Sequence, residues 1–148
     1  MKVSVESESP EFLANISAGR HRLEADEPLS AGGQDAAPSP YELLLAALGA
    51  CKVITVRMYA KRKGWPLRGV QLNLSHAKVH AEDCANCDRA DSLIDQIDVE
   101  IKLQGELSAE QRERLFTITE RCPVHRTLTS QVRIRTRRPT ISMSSATT

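Results

Sequence analysis

Apolar and polar residues alternate along several stretches of this chain and change to helical spacing in others. Val3 and Val5 alternate with Lys2, Ser4 and Glu6 until Ser9-Pro10 breaks the run, which predicts a first strand. Residues 12–17 and 20–25 read as second and third strands on either side of a turn at Gly19, and residues 30–35 form a loop by composition. Further on, residues 70–79 read as a strand. Ile97, Val99, Ile101 and Leu103 alternate with Asp98, Glu100 and Lys102, the pattern of a half-buried strand. Val132 and Ile134 are assigned to a last strand, and residues 141–148 to a small, polar, disordered tail.

Two segments carry helix signals at both ends. Ser39-Pro40-Tyr41-Glu42 offers an N-cap, a proline at N1 and a glutamate at N3, which together close a capping box. This helix stops at Lys61-Arg62-Lys63-Gly64, with Pro66 forbidding continuation. Its middle is apolar nearly all round, through Leu44, Leu45, Ala47, Leu48, Cys51, Ile54 and Met58, so it should be buried on most faces. One small domain has little with which to cover such a helix, and a partner subunit is expected. Residues 108–121 form a second helix with Ser108 and Gln111 at capping-box spacing and a stripe of Leu115, Ile118 and Cys122. Pro123 opens a short third helix. Strands, a long helix, strands and then helices predict an α+β chain, and 148 residues predict a single domain spanning 1–148.

Charge and composition narrow the partners. A net charge of +1 gives no strong field toward nucleic acid, and Lys61-Arg62-Lys63 suit a helix C-terminus, where cations complement the dipole. The apolar run from Leu43 to Val56 is interrupted by Lys52 and reads as too short to span a membrane. Neither nucleic acid nor membrane is therefore an expected partner. The start of the chain has no apolar signal-like segment, so its four cysteines are expected to be reduced thiols in the cytoplasm. No Gly-rich nucleotide loop is present, and no organic cofactor is expected.

The cysteines carry the candidate chemistry. Cys51 sits mid-helix, either as a small buried hydrophobe or as a nucleophile. A thiolate there would need a nearby cation, for which Arg20 and Arg22 are candidates. Cys122 precedes Pro123 and so falls at an N-cap, where backbone N–H groups favour a thiolate, or else it closes the apolar stripe of the second helix. On local grounds Cys122 is the thiol expected to have the lower pKa. His125 and Arg126 follow in the first turn, either to stabilise an anionic sulfur or as a solvated face. His76, His80, Cys84 and Cys87 resemble zinc-ligand spacing. On one extended strand, however, His76 and His80 would lie about 13 Å apart at about 3.3 Å per residue, which leaves at most the set His80, Cys84 and Cys87. A plain loop or a redox Cys-x-x-Cys are the other readings of this segment, and no metal is favoured.

Two stretches, Ser-Pro-Tyr-Glu running through the apolar helix to Cys51 and Cys122-Pro-Val-His125-Arg-Thr-Leu, resemble the OsmC family together with the organic hydroperoxide resistance proteins. The resemblance implies an OsmC-like fold: an intertwined homodimer with mixed β-sheets, a long central helix carrying Cys51, and active sites at the subunit interface. It implies a peroxidase reducing hydroperoxides, preferably organic ones, with a cellular dithiol as reductant. Cys51 would attack the peroxide. Cys122 would resolve the sulfenic acid to a disulfide. Arg20, which follows Gly19, would hold the Cys51 thiolate, with Arg22 as competitor. Tyr41, Leu48 and His125 would line the substrate pocket. Peroxidase members orient the arginine with a glutamate where this chain has Tyr41. Glu42 lies one residue on, about 100° around the helix, an arrangement shared with a branch that carries Ser-Pro-x-Glu. Glu42 is therefore both the candidate catalytic carboxylate and a capping residue. Tyr41 at the family's glutamate position keeps open a non-catalytic ligand-binding or redox-sensing dimer on the same scaffold.

Overall fold

In the computed structural model, residues 1–8, 11–80 and 93–138 are described. The chain begins with an antiparallel meander of β1 (Ser4–Glu6), β2 (Ala14–Ala18) and β3 (His21–Ala25). Ala18 pairs with His21, so Gly19 and Arg20 alone make the turn. Gly19 takes a φ of +62° at its first position, which is the conformation a two-residue hairpin requires and a side chain resists. This small sheet packs on none of the helices to any substantial extent, and Val5 and Leu23 stay exposed on it.

Helix α1 (Pro40–Lys63) follows. Its predicted ends are both present: Ser39 and Glu42 close the capping box, and Gly64 ends the helix with its N–H on the carbonyls of Ala60 and Lys61. Strands β4 (Leu67–His80) and β5 (Leu93–Gly105) form a long antiparallel ladder, with Leu74 opposite Val99 and a bulge between Leu67 and Gly69. Within the chain, every described ladder is antiparallel rather than mixed, because each strand pairs with its neighbour in sequence and no crossover is needed. Gly49 lets α1 close onto this ladder: an added Cβ would meet Leu74 Cδ1 at 3.0 Å.

Helices α2 (Ala109–Thr119) and α3 (Pro123–Leu128) complete the fold. Arg112 ties α2 to the end of β5 by donating to the carbonyls of Leu103 and Gly105, both at 2.8 Å. The core lies where α1 meets α2 and the end of the ladder, around Val56, Ala60, Leu107, Leu115 and Ile118. The last strand expected at Val132 and Ile134 is not formed. Residues 131–138 join no ladder within the chain, and both side chains are exposed. The tail assigned to 141–148 lies outside the described residues.

α1 is less covered than its apolar circumference predicts. One line of side chains, Leu48, Lys52, Val56 and Ala60, is buried, whereas Ile54 and Met58 are 58% and 68% exposed. By length and composition α1 is also sufficient to cross a membrane, contrary to the expectation drawn from its interrupted apolar run. It nevertheless packs on β4, α2 and α3 and turns Lys52 inward among them.

The loop into α1 is organised by buried Asp26, whose carboxylate accepts the backbone N–H groups of Glu27, Gln34 and Ala36 at 2.8, 3.0 and 3.1 Å. These bonds, that from Ala36 foremost, hold its pKa below the ordinary 3.8. A depressed carboxyl contributes stability above its unfolded pKa and loses it as pH falls through the folded one. Asp26→Asn should therefore destabilise the protein at neutral pH, and the gap from wild type should shrink as pH drops below 3.8. Denaturant titrations at neutral and strongly acid pH measure it.

Candidate active site

Cys51 and Cys122 meet between α1 and α3. Cys51 is half-buried on α1. After α2 the chain turns at Glu120 and Arg121, and Cys122 becomes the N-cap of α3, fully buried, with its sulfur accepting the His125 N–H at 3.2 Å. Both thiols are free, and Cys51 lies close enough to Cys122 to act on its thiol. The N-cap position expected for Cys122 is thus present, but its expected electrostatic consequence is not. Burial, the largest influence, pushes the Cys122 thiol above its ordinary value of 9.0. The contact with Cys51 adds to that rise, and the His125 N–H and the Lys52 charge oppose it. Cys122 is therefore held as the protonated partner.

Beside the cysteines lies a polar cluster. Lys52 is 1% exposed, and its Nζ donates to the Thr119 carbonyl at 3.2 Å, Glu120 Oε1 at 3.4 Å and His125 Nδ1 at 3.2 Å. Three acceptors match the three donors of an ammonium. Because an ammonium cannot accept, His125 Nδ1 is the bare nitrogen of its ring. The ring proton sits on Nε2, which faces Glu120 Oε2 at 3.2 Å. A cavity of about 360 Å³ opens beside this cluster, lined by Leu48, Lys52, Asp95, Glu120, His125 and Leu128 among others.

Of the expected pocket residues, Leu48 and His125 line this cavity and Tyr41 does not. Tyr41 stacks on His76, with ring centroids 4.6 Å apart, and His76 Nε2 bonds Asp95 Oδ1 at 2.8 Å. Tyr41 thus reaches the cavity wall only through two intermediaries. Glu42 is spent on the cap: Ser39 N and Oγ donate to its Oε2 at 2.7 and 2.9 Å. It also lies about 13 Å along the axis from Cys51 at about 1.5 Å per residue. Arg20 stands exposed at the β2–β3 turn with no hydrogen bond or ion pair among the described residues, while Arg22 donates to the carbonyls of Gly19 and His21. The chain therefore brings together Cys51, Cys122, Leu48 and His125 but not Arg20, Arg22 or Glu42. Lys52 and Glu120 were missed. A lysine inside an apolar helix demands a buried acceptor, but its partner Glu120 lies 68 residues away.

His76 and His80 lie on the same extended strand, as expected, and His80 is exposed at its end. Cys84 and Cys87 fall outside the described residues. Among the described residues, no group of three or more His, Cys, Asp or Glu side chains is placed to hold a metal.

A long helix laid on an antiparallel ladder, with paired thiols where the third helix begins, defines an α+β cysteine-pair protein. The chain belongs to the OsmC-like protein family, whose sequence model matches residues 32–137. Solved structures agree on the fold. A Psychrobacter arcticus protein described as an osmotic stress induced and detoxification response protein superposes with a TM-score of 0.69 at 16% identity, over 86% of this chain and 87% of that one. An OsmC-like protein from Mycoplasma pneumoniae gives 0.66 at 18%, over 86% and 85%. An organic hydroperoxide resistance protein OsmC from Legionella pneumophila gives 0.62 at 18%, over 86% and 88%. Comparison with curated protein sequences finds no match.

Burial and protonation both make Cys122 the slower thiol toward external reagents. A maleimide at neutral pH should label Cys51 well before Cys122, as peptide mass spectrometry would read. Equal rates would mean that Cys122 is not enclosed as described.

Proposed function

We propose that the protein reduces organic hydroperoxides with Cys51 as nucleophile and Cys122 as resolving thiol. The observation that carries this is the contact between the two free thiols, one half-exposed and one buried at a helix start. The Cys51 thiolate attacks the outer peroxide oxygen and breaks the O–O bond, leaving Cys51 sulfenic acid and an alkoxide that takes a proton to become the alcohol. The Cys122 sulfur then displaces the sulfenic oxygen, forming the Cys51–Cys122 disulfide and releasing water. A cellular dithiol supplies two electrons and two protons to restore both thiols, which places the cycle in a reducing compartment such as the cytoplasm. A groove lined by Thr55, Met58, Tyr59, Ile118 and Pro123 offers an organic substrate apolar surface, bordered by the cations Lys61, Arg62, Lys63, Arg114 and Arg121. The hydroperoxide resistance function named for the Legionella relative supports the same chemistry.

Peroxide treatment should link Cys51 to Cys122 within one chain, seen as a disulfide-bonded peptide pair, and Cys122→Ser should leave Cys51 as a trappable sulfenic acid. If both thiols stay free after peroxide, the redox cycle is wrong and the ligand-binding reading of the scaffold takes its place.

The working form in this proposal is an intertwined homodimer. The uncovered face of α1 around Ile54 and Met58, and a β1–β2–β3 sheet that finds no helix of its own chain to cover, support it. In such a dimer the sheet carries Arg20, or its neighbour Arg22, to the other subunit's Cys51. Sedimentation at micromolar concentration should give a dimer, and a well-folded monomer would refute this arrangement.

A further inference from the structure

We propose that Lys52 is the positioning cation of the resolving cysteine, fixed by Thr119, Glu120 and His125 so that its charge acts on Cys122 once Cys51 has been oxidised. This rests on reading Cys122 as the resolving thiol.

The geometry ties Lys52 to Cys122 from two sides. The Thr119 carbonyl accepts both Lys52 Nζ at 3.2 Å and the Cys122 N–H at 3.4 Å. His125 accepts Lys52 on Nδ1 at 3.2 Å, while its own backbone N–H donates to the Cys122 sulfur at 3.2 Å. The ammonium is thereby anchored to the residue before the α2–α3 turn and to the residue that caps Cys122. It cannot swing away to solvent as a surface lysine does, being 1% exposed.

The groups acting on Cys122 are Cys51 and Lys52 from α1 and His125 from α3; Glu120 from the α2–α3 turn pairs with Lys52, and Asp95 and Asp98 of β5 share the cavity with Lys52 and His125. Their influences change during the cycle. Before peroxide arrives, the sulfur of Cys51 and burial both keep the proton on Cys122. Cys122 then does not compete as a nucleophile. Oxidation turns Cys51 into a neutral sulfenic acid and removes that negative neighbour. Burial still disfavours the thiolate, but the His125 N–H and the Lys52 charge, which both favour loss of the proton, are no longer opposed by Cys51. The resolving thiolate therefore becomes easier to form in the step that needs it. It attacks the Cys51 sulfur, the S–O bond breaks, and the departing hydroxide takes up the proton that Cys122 released.

The test uses full-length protein with Cys51, Cys84 and Cys87 replaced by Ser, so that Cys122 is the only thiol and its neighbour is neutral. Thiolate ultraviolet absorbance is followed against pH. Lys52→Met should move the Cys122 midpoint up, and Glu120→Gln, which removes the anion that offsets Lys52, should move it down. Circular dichroism confirms folding. If Lys52→Met does not fold, Glu120→Gln at a largely exposed side chain carries the test alone. A midpoint that stays still, or that moves upward in Glu120→Gln, overturns the proposal, because a purely structural cluster predicts no opposite-signed shifts. The readout needs no peroxide. Opposite shifts without a Cys51–Cys122 disulfide would leave the electrostatic assignment standing and remove the peroxidase reading. A disulfide without the shifts would do the reverse.

Discussion

An ammonium cannot be taken out of water without acceptors, and the placement of Lys52 makes the chain supply them. Isolated burial of such a charge costs on the order of several kcal/mol. The acceptors come from the end of α2 and the first turn of α3. Satisfying Lys52 therefore sets how α2 and α3 lie against α1. Cys51 precedes Lys52 in sequence and Cys122 sits between the two groups of acceptors, so the same constraint that neutralises the lysine brings the thiols into contact. The apolar contacts of Val56, Leu115 and Ile118 hold the helices together, but apolar packing is tolerant of small rotations. The polar cluster is what selects one of them.

The two halves of the chain stand differently toward this arrangement. From α1 onward, caps, core and polar cluster support one another: Gly49 lets α1 approach Leu74, Arg112 fastens α2 to the end of the ladder, and the capping boxes of α1 and α2 satisfy their first N–H groups. The N-terminal meander has good local pairing and a well-formed turn at Gly19, yet it contributes little to the core of its own chain. Its arginines accordingly do not join the cysteines of their own chain.

Much of this was legible in the residues. The limits of α1 followed from Ser39, Pro40, Glu42, Gly64 and Pro66, because capping depends on neighbours in sequence. The alternation from Ile97 to Leu103 identified β5 for the same reason, and Cys122 before Pro123 identified an N-cap. The strand expected at Val132 and Ile134 did not form within the chain, because alternation signals a strand only where the segment reaches a partner edge, and residues 131–138 join no ladder. The low pKa expected of Cys122 failed because a helix start is a local property whereas burial is not. The Glu42 carboxylate, weighed both as a catalytic group and as a cap, is engaged as a cap.

By itself, then, the sequence determined the limits of α1, the alternation of β5, the N-cap at Cys122 and the family, since each is encoded in spacing over a few residues. Tertiary structure alone decided which thiol is enclosed, that Leu48 and His125 share a cavity while Tyr41 is held apart on His76, and that a lysine readable only as an interruption of an apolar run is the centre of a polar cluster. Those outcomes depend on desolvation and on partners tens of residues apart. No local pattern encodes either, because the energy of a buried charge is fixed by whatever the rest of the chain folds around it.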